Sequence, residues 1–336
     1  MTVVGPFGLS VRDQALEADV QAGLAAVEEG LLEATKSEVP FITEAAQHLV
    51  RAGGKRFRPL LVMLTAQFGD RYAPGVVPSA VVVELTHLAT LYHDDVMDEA
   101  EVRRGVESAN TRWGNSVAVL TGDFLFARAS HILADLGPEA VRVQAEAFER
   151  LVTGQILETA GPQDGRDPVE HYLDVLSGKT GSLVAVSCRF GAMMSGADET
   201  VVDVLTQYGE RLGVAFQLAD DVLDIASDSH ESGKTPGTDL REGIPTLPVL
   251  RLRERAQRLG LAEDAALCEL LDSDLTDDAR HAEALAALRV HPALEQARRD
   301  TVRYAEDARA ALAPLPDLGA KAALMELCDA VVHRAG

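Results

Sequence analysis

The chain has 336 residues, with 31 Lys and Arg against 53 Asp and Glu, for a formal net charge of -22. A field of that sign repels nucleic acid and other polyanions unless a local basic cluster overrides it. The cysteines Cys188, Cys268 and Cys328 lie far apart and form no C-x-x-C, which argues against a disulfide framework or a zinc site and for a reduced, cytosolic compartment.

Ala, Leu, Val and Glu dominate, so helix is favoured over sheet. The opening segment, Met1 to Pro6, has no basic region leading into an apolar core, and no signal peptide is expected. No stretch reaches ~18 uninterrupted apolar residues, so no membrane span is expected. Residues 1–15 are a candidate for disorder, and no composition break marks a domain boundary.

In chain order the first informative segment is Gly53-Gly54-Lys55-Arg56-Phe57-Arg58-Pro59. It gathers three cations in an acidic protein, behind glycines that permit close backbone approach and ahead of a proline suited to a helix start. Arg offers bidentate contacts to phosphate oxygens and Lys a point charge. No extended basic surface accompanies them, so a small anion fits better than a polymer.

Prolines are absent between Pro78 and Pro138 and between Pro168 and Pro236, leaving room for long helices. One is expected from Ser79, a plausible N-cap, with Val81, Val82, Leu85, Leu88, Ala89 and Tyr92 near helical spacing. The run Val81 to Val83, and that from Val117 to Val119, lacks the alternation of a strand. The helix ends in Asp94-Asp95-Val96-Met97-Asp98, and Arg103-Arg104-Gly105 follows as a second phosphate-clamp candidate. A second helix is expected from Val201 to Ile225, and it carries Asp220-Asp221-Val222-Leu223-Asp224. Loops are expected at 69–78, 161–168 and 227–248, and further amphipathic helices beyond Arg251.

Both acidic motifs read D-D-x-x-D. Positions i and i+4 share a helix face, so Asp94 stacks on Asp98 and Asp220 on Asp224, with Asp95 and Asp221 alongside. Three converging carboxylates repel one another and need a compensating positive charge. Oxygen-only ligands suit magnesium above zinc, and magnesium usually shares its shell with substrate phosphates. An acidic solvated face is the plain alternative for a single copy; two copies, each closing an apolar helix, make it a poor one. His87 lies on the face of Asp94 and Asp98, and Gln217 on that of Asp220 and Asp221.

Taken together, Gly54-Lys55-Arg56-x-Arg58-Pro59, His87, both aspartate motifs, Arg103-Arg104-Gly105, Ser177-Gly178-Lys179-Thr180-Gly181, Phe216-Gln217, Gly233-Lys234, Asp239-Leu240-x-Glu242-Gly243 and Thr246-Leu247-Pro248 resemble the trans-isoprenyl (polyprenyl) diphosphate synthase family. The resemblance covers residues 40–255 or more. It implies an all-α, single-domain orthogonal helical bundle over residues 1–336, built around a deep central cavity, and a homodimer. It also implies three magnesium ions between the two aspartate motifs and the allylic diphosphate. Asp94, Asp98 and Asp220 are the expected primary metal ligands, and Asp95, Asp221 and Asp224 a second tier. By position Lys55, Arg58, His87 and Arg104 match the isopentenyl diphosphate site, and Arg103, Lys179 and Lys234 match groups holding the allylic diphosphate. Thr180 and Gln217 match polar residues near the reacting carbons. Many relatives carry Lys where this chain has Ile244.

The implied reaction is ionisation of the allylic diphosphate, attack by isopentenyl diphosphate, and proton loss. Ala89, Thr90 and Thr86 line the side where a growing tail would descend, and all are small. That suggests products of roughly C30–C50 for a quinone side chain, released with transient membrane contact. A shorter geranylgeranyl or farnesyl product is the alternative. A class I terpene cyclase and a non-catalytic synthase subunit are more remote, because the former needs no isopentenyl site and the latter tends to lose aspartates.

Overall fold

The computed structural model describes residues 13–163, 165–227 and 236–335. The first helices are α1 (Gln14–Ala34), α2 (Pro40–Arg51), α3 (Phe57–Thr65), α4 (Val76–Met97), α5 (Ala109–Trp113), α6 (Asn115–Leu136), α7 (Pro138–Ala160) and α8 (Pro168–Leu176). After a π-helical turn at Ser177–Gly181 come α9 (Ser182–Met194), α10 (Glu199–Ala226), α11 (Thr238–Arg241), α12 (Leu247–Leu259), α13 (Ala262–Leu271), α14 (Asp278–Arg289), α15 (Pro292–Ala311) and α16 (Gly319–Ala335). The only strands among the described residues, β1 (Val102–Arg103) and β2 (Val106–Glu107), form one small hairpin. The all-α expectation holds.

The chain divides into two compact units, one of Met1–Glu149, Leu183–Gly209 and Ala311–Met325, the other of Arg150–Ser182, Glu210–Ala310 and Glu326–Gly336. In the first, α4 is the central helix and touches α1, α3, α5 and α6. Its apolar side chains are buried on every side, Val81, Val82, Val83, Leu85, Leu88 and Ala89 among them. A helix apolar all round belongs in a core, and that packing outweighs the modest helix cost of three consecutive valines. Tyr92 locks α2 onto α4: its buried hydroxyl donates to the Ala45 carbonyl at 2.6 Å and accepts from the Leu49 amide at 3.3 Å. This sets where the basic loop after α2 emerges.

Ser79 is not the N-cap. Gly75 takes that place, and the Ser79 hydroxyl, inside the first turn, donates to the Val76 carbonyl at 2.8 Å. The apolar run upstream of Ser79 extends the helix by a turn. Among the described helices, only α6 is long and apolar enough to cross a membrane by length and composition. It packs along α4, yet only 33% of its most apolar window is buried.

In the second unit Asp167 caps α8, accepting from the amides of Val169 and Glu170 at 2.9 Å, which satisfies two otherwise orphaned donors. At the far end of α10, Arg289 donates to the carbonyls of Ile225, at 2.8 Å, and Ser227. A cation there satisfies the last carbonyls and matches the helix dipole.

Candidate active site

The first unit gathers Lys55, Arg58, His87, Asp94, Asp95, Asp98, Arg103 and Arg104. The Arg104-Gly105 pair turns the hairpin, with φ of 55° and 76°. Positive φ at both central residues is the type I′ geometry that matches strand twist. The Arg104 guanidinium then donates to the carbonyls of Leu49, at 3.0 Å, and Gly53. It passes so close to Gly54 that a Cβ there would lie 2.8 Å from its Cζ. Gly54 is therefore required for space as well as for its φ of 149°.

Arg56, counted by sequence among the phosphate-binding cations, is structural. It is 8% exposed and pairs with Glu28 and, at 2.9 Å, with Glu84, while donating to the Val50 carbonyl at 3.0 Å. Glu84, 2% exposed, also lies 3.6 Å from Arg104. Sequence reasoning missed Glu84, although one acid inside the run from Val81 to Leu88 was a signal.

Lys55 is exposed at the rim. Arg58 is different: its Nε is buried with no hydrogen-bond partner among the described residues. Burial lowers its pKa to about 10, with Glu84 opposing and Arg104 adding to the shift. His87 is held well below the usual imidazole range, first by burial and then by the charges of Arg58, Arg104 and Arg103. A neutral imidazole among guanidiniums, one with an orphaned donor, is a receptor for an anion.

Directly after Tyr92-His93 on the same helix the acidic motif closes α4. Asp98 is its C-cap, with a side chain 64% exposed. Asp95 is turned inward, 0% exposed, and accepts from Arg103 Nε at 2.5 Å. Burial raises its pKa, against the pull of Arg103. Arg103 also lies 4.0 Å from Asp98.

The second unit holds Lys179, Thr180, Gln217, Asp220, Asp221 and Asp224. Lys179 and Thr180 occupy the π-helical turn after α8, where Lys179 donates to Glu158 at 2.5 Å. The turn packs against α7 so closely that a Cβ on Gly154 would lie 2.7 Å from the Lys179 amide nitrogen. Asp221, 4% exposed, accepts from Gln217 Nε2 at 3.0 Å and from the Tyr172 hydroxyl. Burial raises its pKa to about 7, opposed by both donors. Asp224 accepts from the amides of Thr238 and Asp239, each at 3.2 Å. Asp220 faces Arg334 at 2.9 Å, and Arg334 also stacks on Phe216, 4.9 Å from its ring centre. Neither Tyr172 nor Arg334 was legible, since each reaches the motif from a distant helix. Lys234 lies outside the described residues, and Ile244 is 40% exposed.

The expectation that three carboxylates converge in each motif is thus corrected. Asp95, Asp221 and Asp224 have partners of their own; for the first two burial requires it, because a buried carboxylate must be hydrogen-bonded or paired. Among the described residues no three His, Cys, Asp or Glu side chains gather closely enough to hold a metal by themselves. Oxygen donors few in number fit a hard cation that keeps waters and completes its shell with phosphate oxygens.

On α4, Ala89 is fully buried, Thr90 donates to the His87 carbonyl at 2.8 Å, and Thr86 accepts from Gln144 of α7 at 2.9 Å. Phe126 of α6 and Phe148 of α7 pack ring against ring at a 57° tilt with centroids 4.4 Å apart, and His93 lies 5.9 Å from Phe126. A mostly apolar cavity of about 690 Å³ is lined by Val77, Val81, Ile132 and Leu136, with Glu33 and Asp135 also in its wall. Val81 lies ~20 Å from Asp94 along α4, at 1.5 Å per residue.

Residues 39–288 match the Polyprenyl synthetase family. The chain is 47% identical over 331 residues to a nonaprenyl diphosphate synthase of Mycobacterium tuberculosis, covering 98% of this chain and 97% of the relative. It superposes with a TM-score of 0.87 on a geranylgeranyl pyrophosphate synthase from Corynebacterium glutamicum complexed with calcium and isoprenyl diphosphate, at 44% identity over 97% of this chain and 99% of that one. A decaprenyl diphosphate synthase from Rhodobacter capsulatus gives a TM-score of 0.85 at 36% identity, covering 96% and 99% of the two chains. The protein belongs to the polyprenyl synthetase family of trans-isoprenyl diphosphate synthases, and it is a prenyltransferase.

Proposed function

We propose that this enzyme condenses isopentenyl diphosphate with an allylic diphosphate, such as farnesyl or geranylgeranyl diphosphate, and repeats the step to a product of roughly C30–C50 for a quinone side chain. The observation that carries the proposal is the cation-lined receptor of Arg58, His87 and Arg104 on the helix system that bears Asp94 and Asp98. A terpene cyclase has no use for a second diphosphate receptor. Both aspartate motifs being intact argues against a non-catalytic subunit.

In this reading Lys55, Arg58, His87 and Arg104 hold isopentenyl diphosphate and aim its double bond. Asp94, Asp98 and Asp220 are the ligands for magnesium, three ions per site, with Asp95, Asp221 and Asp224 behind them. Bound magnesium supplies Lewis-acid stabilisation of the leaving diphosphate. Arg103, Lys179 and Lys234 stabilise the same developing charge. Thr180 and Gln217 stand near the reacting carbons, and the departing diphosphate is the base for the final proton.

The small residues Ala89, Thr90 and Thr86, with the apolar cavity further along α4, support a long tail. The Phe126–Phe148 pair favours the second reading, a shorter product, because two rings in tilted contact narrow the space between α6 and α7. Purified protein incubated with magnesium, isopentenyl diphosphate and each of several primers tests this. Products longer than C20 support the long-chain reading, products that stop at C15 or C20 select the shorter one, and no consumption of isopentenyl diphosphate refutes both.

The enzyme is further proposed to be a cytoplasmic homodimer. Val152 and Ile156 share one face of α7 at i, i+4 and leave 38% and 61% of their surface exposed, and contiguous exposed apolar surface marks protein interfaces. A polyprenyl product is nearly insoluble, so release requires transient contact with a membrane or carrier.

A further inference from the structure

The second aspartate motif depends on a residue that lies on another helix. We propose that Tyr172 is a positioning residue: its hydroxyl anchors Asp221 in the interior, and this anchor fixes the last turns of α10 so that Asp220 is presented to metal and diphosphate. The inference rests on the reading of Asp220 as a metal ligand.

Both Asp221 oxygens are taken by neutral donors, Oδ2 by the Tyr172 hydroxyl and Oδ1 by Gln217 Nε2 at 3.0 Å. The carboxylate is 4% exposed, so water does not replace a lost donor, and a buried acceptor left unpaired is strongly unfavourable. The middle aspartate of the first motif has a charged anchor instead, Arg103, at 2.5 Å from Asp95. Gln217 stands on α10 itself, so the phenol of Tyr172 is the donor that holds Asp221 from another helix and keeps it out of the space beside Asp220. A loosened Asp221 would swing toward Asp220 and add a competing like charge to the ligand set.

Tyr172 also has a second connection. It stands on α8, which runs directly into the π-helical turn carrying Lys179 and Thr180. That turn is pinned by close backbone packing, Gly178 against the Arg150 carbonyl and Gly154. One hydroxyl thus ties the lysine-bearing turn to the acidic end of α10 within the second unit. Partners that orient metal ligands from behind typically change metal affinity by ~10–100-fold when removed.

The test is calorimetric titration of magnesium with inorganic diphosphate into wild-type protein, Tyr172→Phe, Asp221→Asn and the double variant, without prenyl substrates, alongside kinetics on the same proteins. Tyr172→Phe is expected to weaken magnesium–diphosphate binding by ~10-fold or more and to raise the magnesium concentration for half-maximal turnover in parallel. The KM for isopentenyl diphosphate should stay within about twofold, because Lys55, Arg58 and His87 belong to the other unit; general loosening of the fold would move both. The double variant should bind no worse than the weaker single one, the mark of two residues acting as one device. Wild-type affinity in Tyr172→Phe, or additive losses, overturns the proposal. Asp220→Ala separates the layers: if it binds magnesium–diphosphate normally, the metal-ligand reading itself fails, whereas loss in Asp220→Ala with no effect of Tyr172→Phe sinks only the anchor.

Discussion

Glu84→Gln isolates the electrostatics of the basic receptor. The carboxylate is 2% exposed and sits 2.9 Å from Arg56 and 3.6 Å from Arg104, and its charge also acts on Arg58. Removing one partner from a buried ion-pair cluster leaves uncompensated charge and destabilises by ~3–5 kcal/mol. Arg56 keeps Glu28, but that carboxylate is 44% exposed and screened by water, and Arg104 keeps only carbonyl acceptors. The expected loss is therefore at the lower end, ~3 kcal/mol. Thermal or urea unfolding reads it, with and without inorganic diphosphate, under chelator so that the metal motifs are silent. An anion in the receptor replaces the missing negative charge, so diphosphate should stabilise the variant more than the wild type; saturation at 100 times Kd adds ~2.7 kcal/mol by mass action. Unfolding of the variant within ~0.5 kcal/mol of wild type, or no response of either protein to diphosphate, would refute the reasoning.

His87 gives a pH signature. Its folded-state pKa lies well below the usual value, so on acidification the unfolded chain takes up the proton first. The stability is whole above pH ~6.5 and is lost as pH falls from there toward the folded-state pKa, by at most ~1.4 kcal/mol per pH unit. Unfolding midpoints between pH 7 and 5 should fall more steeply for wild type than for His87→Asn, and equal slopes would contradict the assignment. Product length tests the channel: Ala89→Phe should shorten the prenyl chain and Phe148→Ala lengthen it, as read by chromatography of the dephosphorylated products. An unchanged distribution in both places the tail elsewhere.

Much of the chemistry was visible in the sequence because it is local. The i, i+4 spacing of Asp94 and Asp98 needs only a helix to become a face, and α4 and α10 formed within about three residues of the expected spans. The roles within each motif were not visible, since they depend on partners brought in by folding. Asp95 is claimed by an arginine from the hairpin, Asp221 by a tyrosine 49 residues earlier, and Asp220 by an arginine of α16. The same holds in the basic loop. Lys55, Arg56 and Arg58 are alike in composition, but the left-handed backbone at Arg56 turns that side chain into Glu28 and Glu84. Ser79 misled because a preference for capping is weak against the burial of Val76 one turn earlier, 1% exposed.

Turnover by Asp94→Ala and Asp220→Ala, followed as isopentenyl diphosphate incorporated per enzyme, addresses the main proposition directly. If carboxylates from both motifs ligate the metal that stabilises the leaving diphosphate, each variant loses ~10³-fold or more in kcat. Each should still bind isopentenyl diphosphate within about threefold of wild type, through cations that neither substitution touches. Turnover within tenfold of wild type in either variant would show that the motif concerned does not hold the catalytic metal.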